Sequence, residues 1–404
     1  MPGSIPRRTF LTGLAGGAVA LSADPVRAAL PKHRPEGGAL LRTPPMVWAP
    51  RSDGADILWA VSRLARGRVE LRAPGGAVRI VDGDGYGFTP QTSEVMRVRV
   101  DDLQPGTEYE WRAVIDAIDG EEERVETPWK RFRTLDPSAS RSRFVVWNDT
   151  HEHHETIQQL QQATPAADFL LWNGDTCNDW HEEEWLVPTL MAPAGIDISE
   201  GHPLLLTLGN HDIRGKYGFR VPEHVGFPGA RPYYAFRSGP VAIIGLNTGE
   251  DKPDDHPSFH GRVASQALRE EQAEWLERTI TRPEFASAPY RVVFCHIPLR
   301  WLEEPETVDY AGVGFDHYAR SSRDLWHDAL VRWGAQVVIS GHTHRTESIP
   351  ANSEFPYAQI TGGGPQLARA TWMEVEGNES ALTVTVRRLQ SGEIASRDRF
   401  PRLT

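Results

Sequence analysis

Five short apolar runs in this chain each end in residues that could bind or polarise a ligand. Phe144–Trp147 leads into Asn148-Asp149-Thr150-His151, Phe169–Trp172 into Asn173-Gly174-Asp175, and Leu204–Leu208 into Gly209-Asn210-His211-Asp212. Val292–Cys295 leads into His296-Ile297-Pro298, and Val337–Ile339 is followed by Gly341-His342-Thr343-His344. Taken singly, a strand-end histidine usually satisfies a local hydrogen bond, and a lone Gly-Asp usually makes a turn. The ordered series D-x-H, G-D, G-N-H-D, H-x-P and G-H-x-H is hard to obtain by accident. Three of the five place glycine directly before a candidate ligand, which permits a tight turn and close backbone approach. Carboxylate oxygen and imidazole nitrogen without thiolate suit Zn, Mn or Fe better than a soft metal.

The elements that must position these residues follow from periodicity. Continuous apolar runs of four to six residues indicate strands covered on both faces; a sixth, Val241–Leu246, carries no ligand candidate. Between them, Ser265–Arg282 places Leu268, Trp275, Leu276 and Thr279 at helical spacing, and Arg323–Trp333 does the same with Leu325, Trp326, Ala329, Leu330 and Trp333. From Pro137 onward the chain therefore reads as a layered α/β domain, with ligands expected beyond the carboxyl ends of the strands. Residues 41–136 read differently. Ile57–Val61, Val69–Leu71 and Val98–Val100 are short and alternating, and Pro74-Gly75-Gly76 and Asp82-Gly83-Asp84-Gly85 are turns, which predicts a small all-β sandwich. Residues 29–40 read as a linker.

Composition narrows the function classes. Forty-three basic against 55 acidic residues in 404 give a net charge of −12, so no specific nucleic-acid or anionic-membrane binding is expected. Cys177 and Cys295 are too few for a disulfide scaffold or a four-thiolate zinc site, and read as two buried thiols. Residues 1–28 carry Arg7-Arg8, a weakly apolar run from Phe10 to Leu21 and the small-residue site Val26-Arg27-Ala28, the layout of a cleaved export signal. No other stretch reaches about 18 apolar residues, so no membrane span is expected in the mature chain.

Three resemblances sharpen this reading. The string RRTFL resembles the twin-arginine export signal, which implies passage through that machinery and a periplasmic or extracellular location. Leu103-Gln104-Pro105-Gly106-Thr107-Glu108-Tyr109 resembles the L-x-P-G-T-x-Y turn of fibronectin type III modules. The five-motif series, from about 143 to 365, resembles the calcineurin-like metallophosphoesterases, and with the β-module the chain looks like bacterial relatives of purple acid phosphatases. That resemblance implies a two-sheet α/β sandwich over 137–404 and two metal ions (Fe, Mn or Zn) bridged by Asp175. It assigns Asp149, His151 and His344 to one ion and Asn210, His296 and His342 to the other. His211 would face the phosphate as the catalytic side chain. Two divalent ions against two anionic ligands leave about +2, a local trap for a phosphate ester inside an acidic protein. Hydroxide attack on phosphorus would then need no covalent protein intermediate. One departure stands out: purple acid phosphatases have a tyrosine ligand three residues after the bridging aspartate, and here that position is Asn178.

The implied activity is hydrolysis of phosphate monoesters. A phosphodiesterase using the same ions is the alternative, and a binding protein with a vestigial site a more distant one. Arg300, with Trp301, is a candidate grip on substrate, and the polar segments 249–262 and 302–322 are candidate lids. His153-His154 reads as a solvated helix start, Glu182–Glu184 as an exposed face, and Tyr233–Phe236 as a core strand.

Overall fold

The computed structural model describes residues 38–404 apart from 84–85, 121, 230, 303–307, 311–312 and 316–319. The export signal at 1–28, most of the linker and much of the 302–322 segment lie outside the described residues. Each apolar run forms the expected strand. Ser142–Trp147, Leu170–Asn173 and Leu204–Thr207 lie parallel, with Trp147 level with Trp172 and Trp172 level with Leu206. Val241–Leu246, Tyr290–Cys295, Val337–Ser340 and Ala358–Thr361 form a second parallel set. These two sets are the centres of a nine-stranded and a six-stranded sheet. Antiparallel strands extend the first with Thr371–Gly377, Leu382–Arg388 and Ile394–Phe400. The whole is a mixed α/β sandwich.

Alternation along the strands explains the layers. In Val241–Leu246, Val241 and Ile243 enter the core between the sheets, while Ala242, Ile244 and Leu246 face the outer layer. Between the sheets, Phe144 stacks on Phe169 at 4.6 Å and meets Phe294 edge-on at 5.8 Å, contacts worth roughly 0.5–1.5 kcal/mol each beyond their burial. The outer layer is closed by helices Ser265–Ile280 and Arg320–Trp333, through Leu276, Ile280, Trp326, Leu330 and Trp333. The spacing of apolar residues had marked both helices, whose polar faces stay toward water.

Among the described residues, 38–136 contain strands and turns but no helix. Three of these strands do not stay apart. Met46–Trp48 pairs in parallel with Leu204–Thr207, and Ala55–Ala60 and Val95–Val100 continue the nine-stranded sheet to its edge. Ala55–Ala60 serves two cores by its period of two: Leu58 and Ala60 join the core between the α/β sheets, Ile57 and Trp59 a second one. That second core is closed by a further sheet around Ala65–Arg72 and Glu108–Ala117, through Val69, Leu71, Trp111, Ala113 and Ile115.

Candidate metal centre

The register delivers the chemistry-bearing residues to one edge. Beyond Trp147, Asn173 and Thr207 the first sheet supplies Asp149, Asp175 and Asn210, and beyond Cys295 and Ser340 the second supplies His296 and His342. His296 links the edges, its Nδ1 2.9 Å from the Asn173 carbonyl. Two groups of candidate ligand atoms result, each lying within 4.8 Å: Asp149, His151, Asp175 and His344, and Asp175, His296 and His342. Asp175 is common to both. Asn210 joins the second through its Oδ1, 2.9 Å from His342 Nδ1. All seven residues singled out in the sequence are thus brought together.

The backbone is strained where the ligands sit. Asp149, His151, Asp175, His342 and His344 have φ of 51°, 42°, 50°, 68° and 52°. Left-handed conformations are uncommon outside glycine and cost on the order of 1–3 kcal/mol each, so they persist where the surroundings over-determine them. The glycines permit close approach: a Cβ on Gly174 would lie 2.3 Å from His296 Nδ1, and one on Gly341 2.4 Å from Asp149 Oδ2.

Hydrogen bonds fix which atoms point inward. His151 Nδ1 lies 2.9 Å from Asn178 Oδ1, so it carries the proton and leaves Nε2 as a lone pair. That Nε2 is 3.0 Å from His344 Nε2 and 3.6 Å from Asp175 Oδ2. His296, protonated on Nδ1 toward the Asn173 carbonyl, turns its Nε2 to within 3.0 Å of Asp175 Oδ2. Burial pushes the Asp149 carboxyl up; Asp175 goes the other way, because the His296 imidazole outweighs burial and holds it below the usual carboxylate range. Burial drives His151 down to about 4 and also lowers His344, keeping these imidazoles neutral and able to bind a cation. One buried ligand oxygen, Asp149 Oδ2, has no hydrogen-bond partner among the described residues. Such an orphan is costly, and with two groups of ligand atoms sharing the Asp175 carboxylate the donor set fits two cations.

Two supporting residues were not singled out in the sequence. Asp212, fully buried, accepts from the N–H groups of Asp175, Thr176 and Gly209 at 2.8–2.9 Å and from the Thr176 hydroxyl at 2.5 Å, tying two ligand loops together. Asp179 Oδ1 lies 2.6 Å from His211 Nδ1, and the His211 N–H donates to Asp175 Oδ1 at 3.0 Å. Burial opposes protonation of His211, but the Asp179 bond prevails and raises its pKa. The G-N-H-D string held Asp212 in view without showing what it accepts.

Other residues are placed as follows. Arg300 is buried, donating to the carbonyls of Pro350 and Tyr357 at 3.1 and 2.6 Å and lying over the Phe355 ring at 4.9 Å. Cys177 and Cys295 are buried free thiols. His153 and His154 are exposed at the start of helix His154–Ala163, and Tyr234–Ser238 is a strand. No helix among the described residues is long and apolar enough to cross a membrane.

Comparison with known proteins agrees with this geometry. The chain is 26% identical over 199 residues to the human serine/threonine-protein phosphatase CPPED1, covering 47% of this chain and 58% of that protein. It thus spans under two thirds of the length of such curated relatives. Among solved structures, the purple acid phosphatase PPD1 of yellow lupin superposes with a TM-score of 0.68 over 88% of this chain and 74% of its own, at 13% identity. PhoD superposes with a TM-score of 0.57 over 88% of each chain, at 12% identity. At such identities these speak to the fold. The family model described as calcineurin-like phosphoesterase matches residues 142–346, the span holding all seven clustered residues, and the chain belongs to that family.

Proposed function

We propose that the protein is an exported hydrolase of phosphate monoesters working with two metal ions. The observation that carries this reading is the Asp175 carboxylate shared between two Asp/His clusters, with the buried Asp149 Oδ2 left without a hydrogen-bond partner. When bound, two ions of Fe, Mn or Zn type would supply an activated water and polarise the phosphoryl group. Asp149, His151 and His344 would hold one, Asn210, His296 and His342 the other, and Asp175 both. The chain's own groups do the rest. Asp179 accepts the Nδ1–H of His211 and favours its imidazolium form, whose Nε2–H is then free to be given to a substrate oxygen, leaving the ring neutral with its proton on Nδ1. Asn178, where a tyrosine would ligate in purple enzymes, instead orients His151, so a site without phenolate is expected. CPPED1's description as a phosphatase supports the monoester reading.

The test is an ester panel on protein reconstituted with Mn, Zn or Fe. Faster turnover of 4-nitrophenyl phosphate than of its bis-ester is expected. The reverse order would make it a diesterase, and no hydrolysis of either would leave a binding protein. Export rests on Arg7-Arg8 and the Val26-Arg27-Ala28 site, and the fibronectin-like reading of 41–136 on its turn string. A mature chain beginning at Ala29 outside the cytoplasm is expected; an uncleaved cytoplasmic chain would contradict export.

A further inference from the structure

A cavity of about 260 Å³ is lined by Leu208, Ile213, Phe219, Val221, Leu268 and Asn247. Sheet register locates it. Asn173 pairs with Thr207, and just past that pair Gly174 lies against the Gly209 N–H, next to Leu208. Leu246 pairs with Cys295, and just past that pair the Ile297 N–H donates to Thr248 Oγ1 at 3.3 Å, joining the residues that follow His296 and Asn247. Leu208 and Asn247 are thus each chain neighbours of a residue in contact with a loop that carries a candidate ligand. The cavity therefore continues the same sheet edge, on the side of Asn210. The short helix Asn210–Ile213 joins the two places, with Asn210 at the cluster and Ile213 in the cavity wall.

Resting on the phosphoesterase reading, we propose that this pocket receives the organic group of the substrate and that this group is apolar, of about the size of two fused aromatic rings. The lining is chiefly aliphatic and aromatic, and Phe219 stands 72% exposed at it. A lone exposed aromatic needs no explanation, but one on a concave apolar wall beside a polar centre has the make-up of a ligand site. The volume sets the size. A cavity of about 150 Å³ takes benzene, whereas complete ligand pockets begin near 300 Å³, so this one suits one part of a ligand whose phosphoryl group lies elsewhere. Charge agrees too: in a chain of net −12 no carboxylate lines the pocket, and its one charged lining residue is Arg262.

The experiment compares 2-naphthyl phosphate with phenyl phosphate on the metal-reconstituted full chain, and repeats it with Phe219→Ala and Leu268→Asn at measured metal content. The expected kcat/KM ratio favours the naphthyl ester by about tenfold or more and falls below about threefold in both variants. Equal kcat/KM in the unaltered protein, or a ratio that both variants leave unchanged, overturns the pocket while the phosphoesterase reading stands. If neither ester is hydrolysed that reading fails, and calorimetry with the two non-hydrolysable phosphonates decides the pocket. Tighter naphthyl binding that Phe219→Ala weakens supports it; equal binding of the two overturns it.

Discussion

Replacing Asp212 by asparagine keeps the shape of the side chain and removes one acceptor face. Oδ2 now takes the N–H groups of Asp175 and Gly209, both at 2.8 Å, and Oδ1 takes the N–H and hydroxyl of Thr176. An amide with its oxygen toward Thr176 turns NH2 against two backbone donors. If it flips, the Thr176 hydroxyl can reverse to accept a proton, and one N–H is left unmet. An unmet buried N–H costs about 1–3 kcal/mol, so Asp212→Asn should cost about 1–3 kcal/mol. At roughly 2 °C per kcal/mol for a unit of this size, scanning calorimetry should show Tm falling by about 2–6 °C. Because the affected N–H groups belong to the loops that carry Asp175 and Asn210, affinity for both ions should fall by about tenfold or more, read by competition with a chelator. A Tm within 1 °C of the unaltered protein, with affinity for both ions unchanged, would refute the role given to Asp212.

Gly341→Ala would set a methyl 2.4 Å from Asp149 Oδ2; the chain should stay folded by circular dichroism but lose at least half its bound metal, and full occupancy would contradict the close-approach argument. His211→Ala should lower turnover by about 10²–10⁴-fold while metal content stays near normal, and undiminished turnover would remove the proton-transfer role. Glu94 is held down at about 2 by the His224 imidazole and the Arg220 guanidinium. Its depressed pKa means the stabilisation is present above the ordinary value of 4.5 and is lost as pH falls toward 2. The full shift would be worth ~3 kcal/mol, but with 35% of the side chain in solvent about 1 kcal/mol is expected. Glu94→Gln should therefore destabilise the protein at pH 7, with the difference shrinking below pH 4.5; a difference that grows on acidification would reverse the sign.

The strands and helices were legible because each is a local pattern. Val241–Leu246 is apolar throughout and forms a strand buried on both faces, and the 3.6-residue spacing of Trp326, Leu330 and Trp333 puts them on one helix face. The sharing of Ala55–Ala60 between two cores was not legible, since it depends on a pairing between Trp48 and Leu204, far apart in the chain. At the site, residue types and order marked the seven clustered side chains. What sequence could not show was which buried groups they lean on. Asp212 looks like any turn aspartate until three N–H groups converge on it. For Arg300, four residues after His296 and a candidate grip on substrate, nothing in the sequence signalled that Nη1 donates to the Pro350 and Tyr357 carbonyls. The left-handed backbone at Asp149 and His151 falls on residue types enriched in that region, but type alone does not single out which aspartate or histidine adopts it.

The measurement that bears most directly on a shared two-ion site is metal stoichiometry in the unaltered chain and in Asp175→Asn. Anomalous scattering from crystals, with elemental analysis of the same sample, should find two ions per chain on either side of the Asp175 carboxylate, and loss of both in the variant. One ion or none in the metal-replete protein, or two ions undisturbed by Asp175→Asn, would contradict the account.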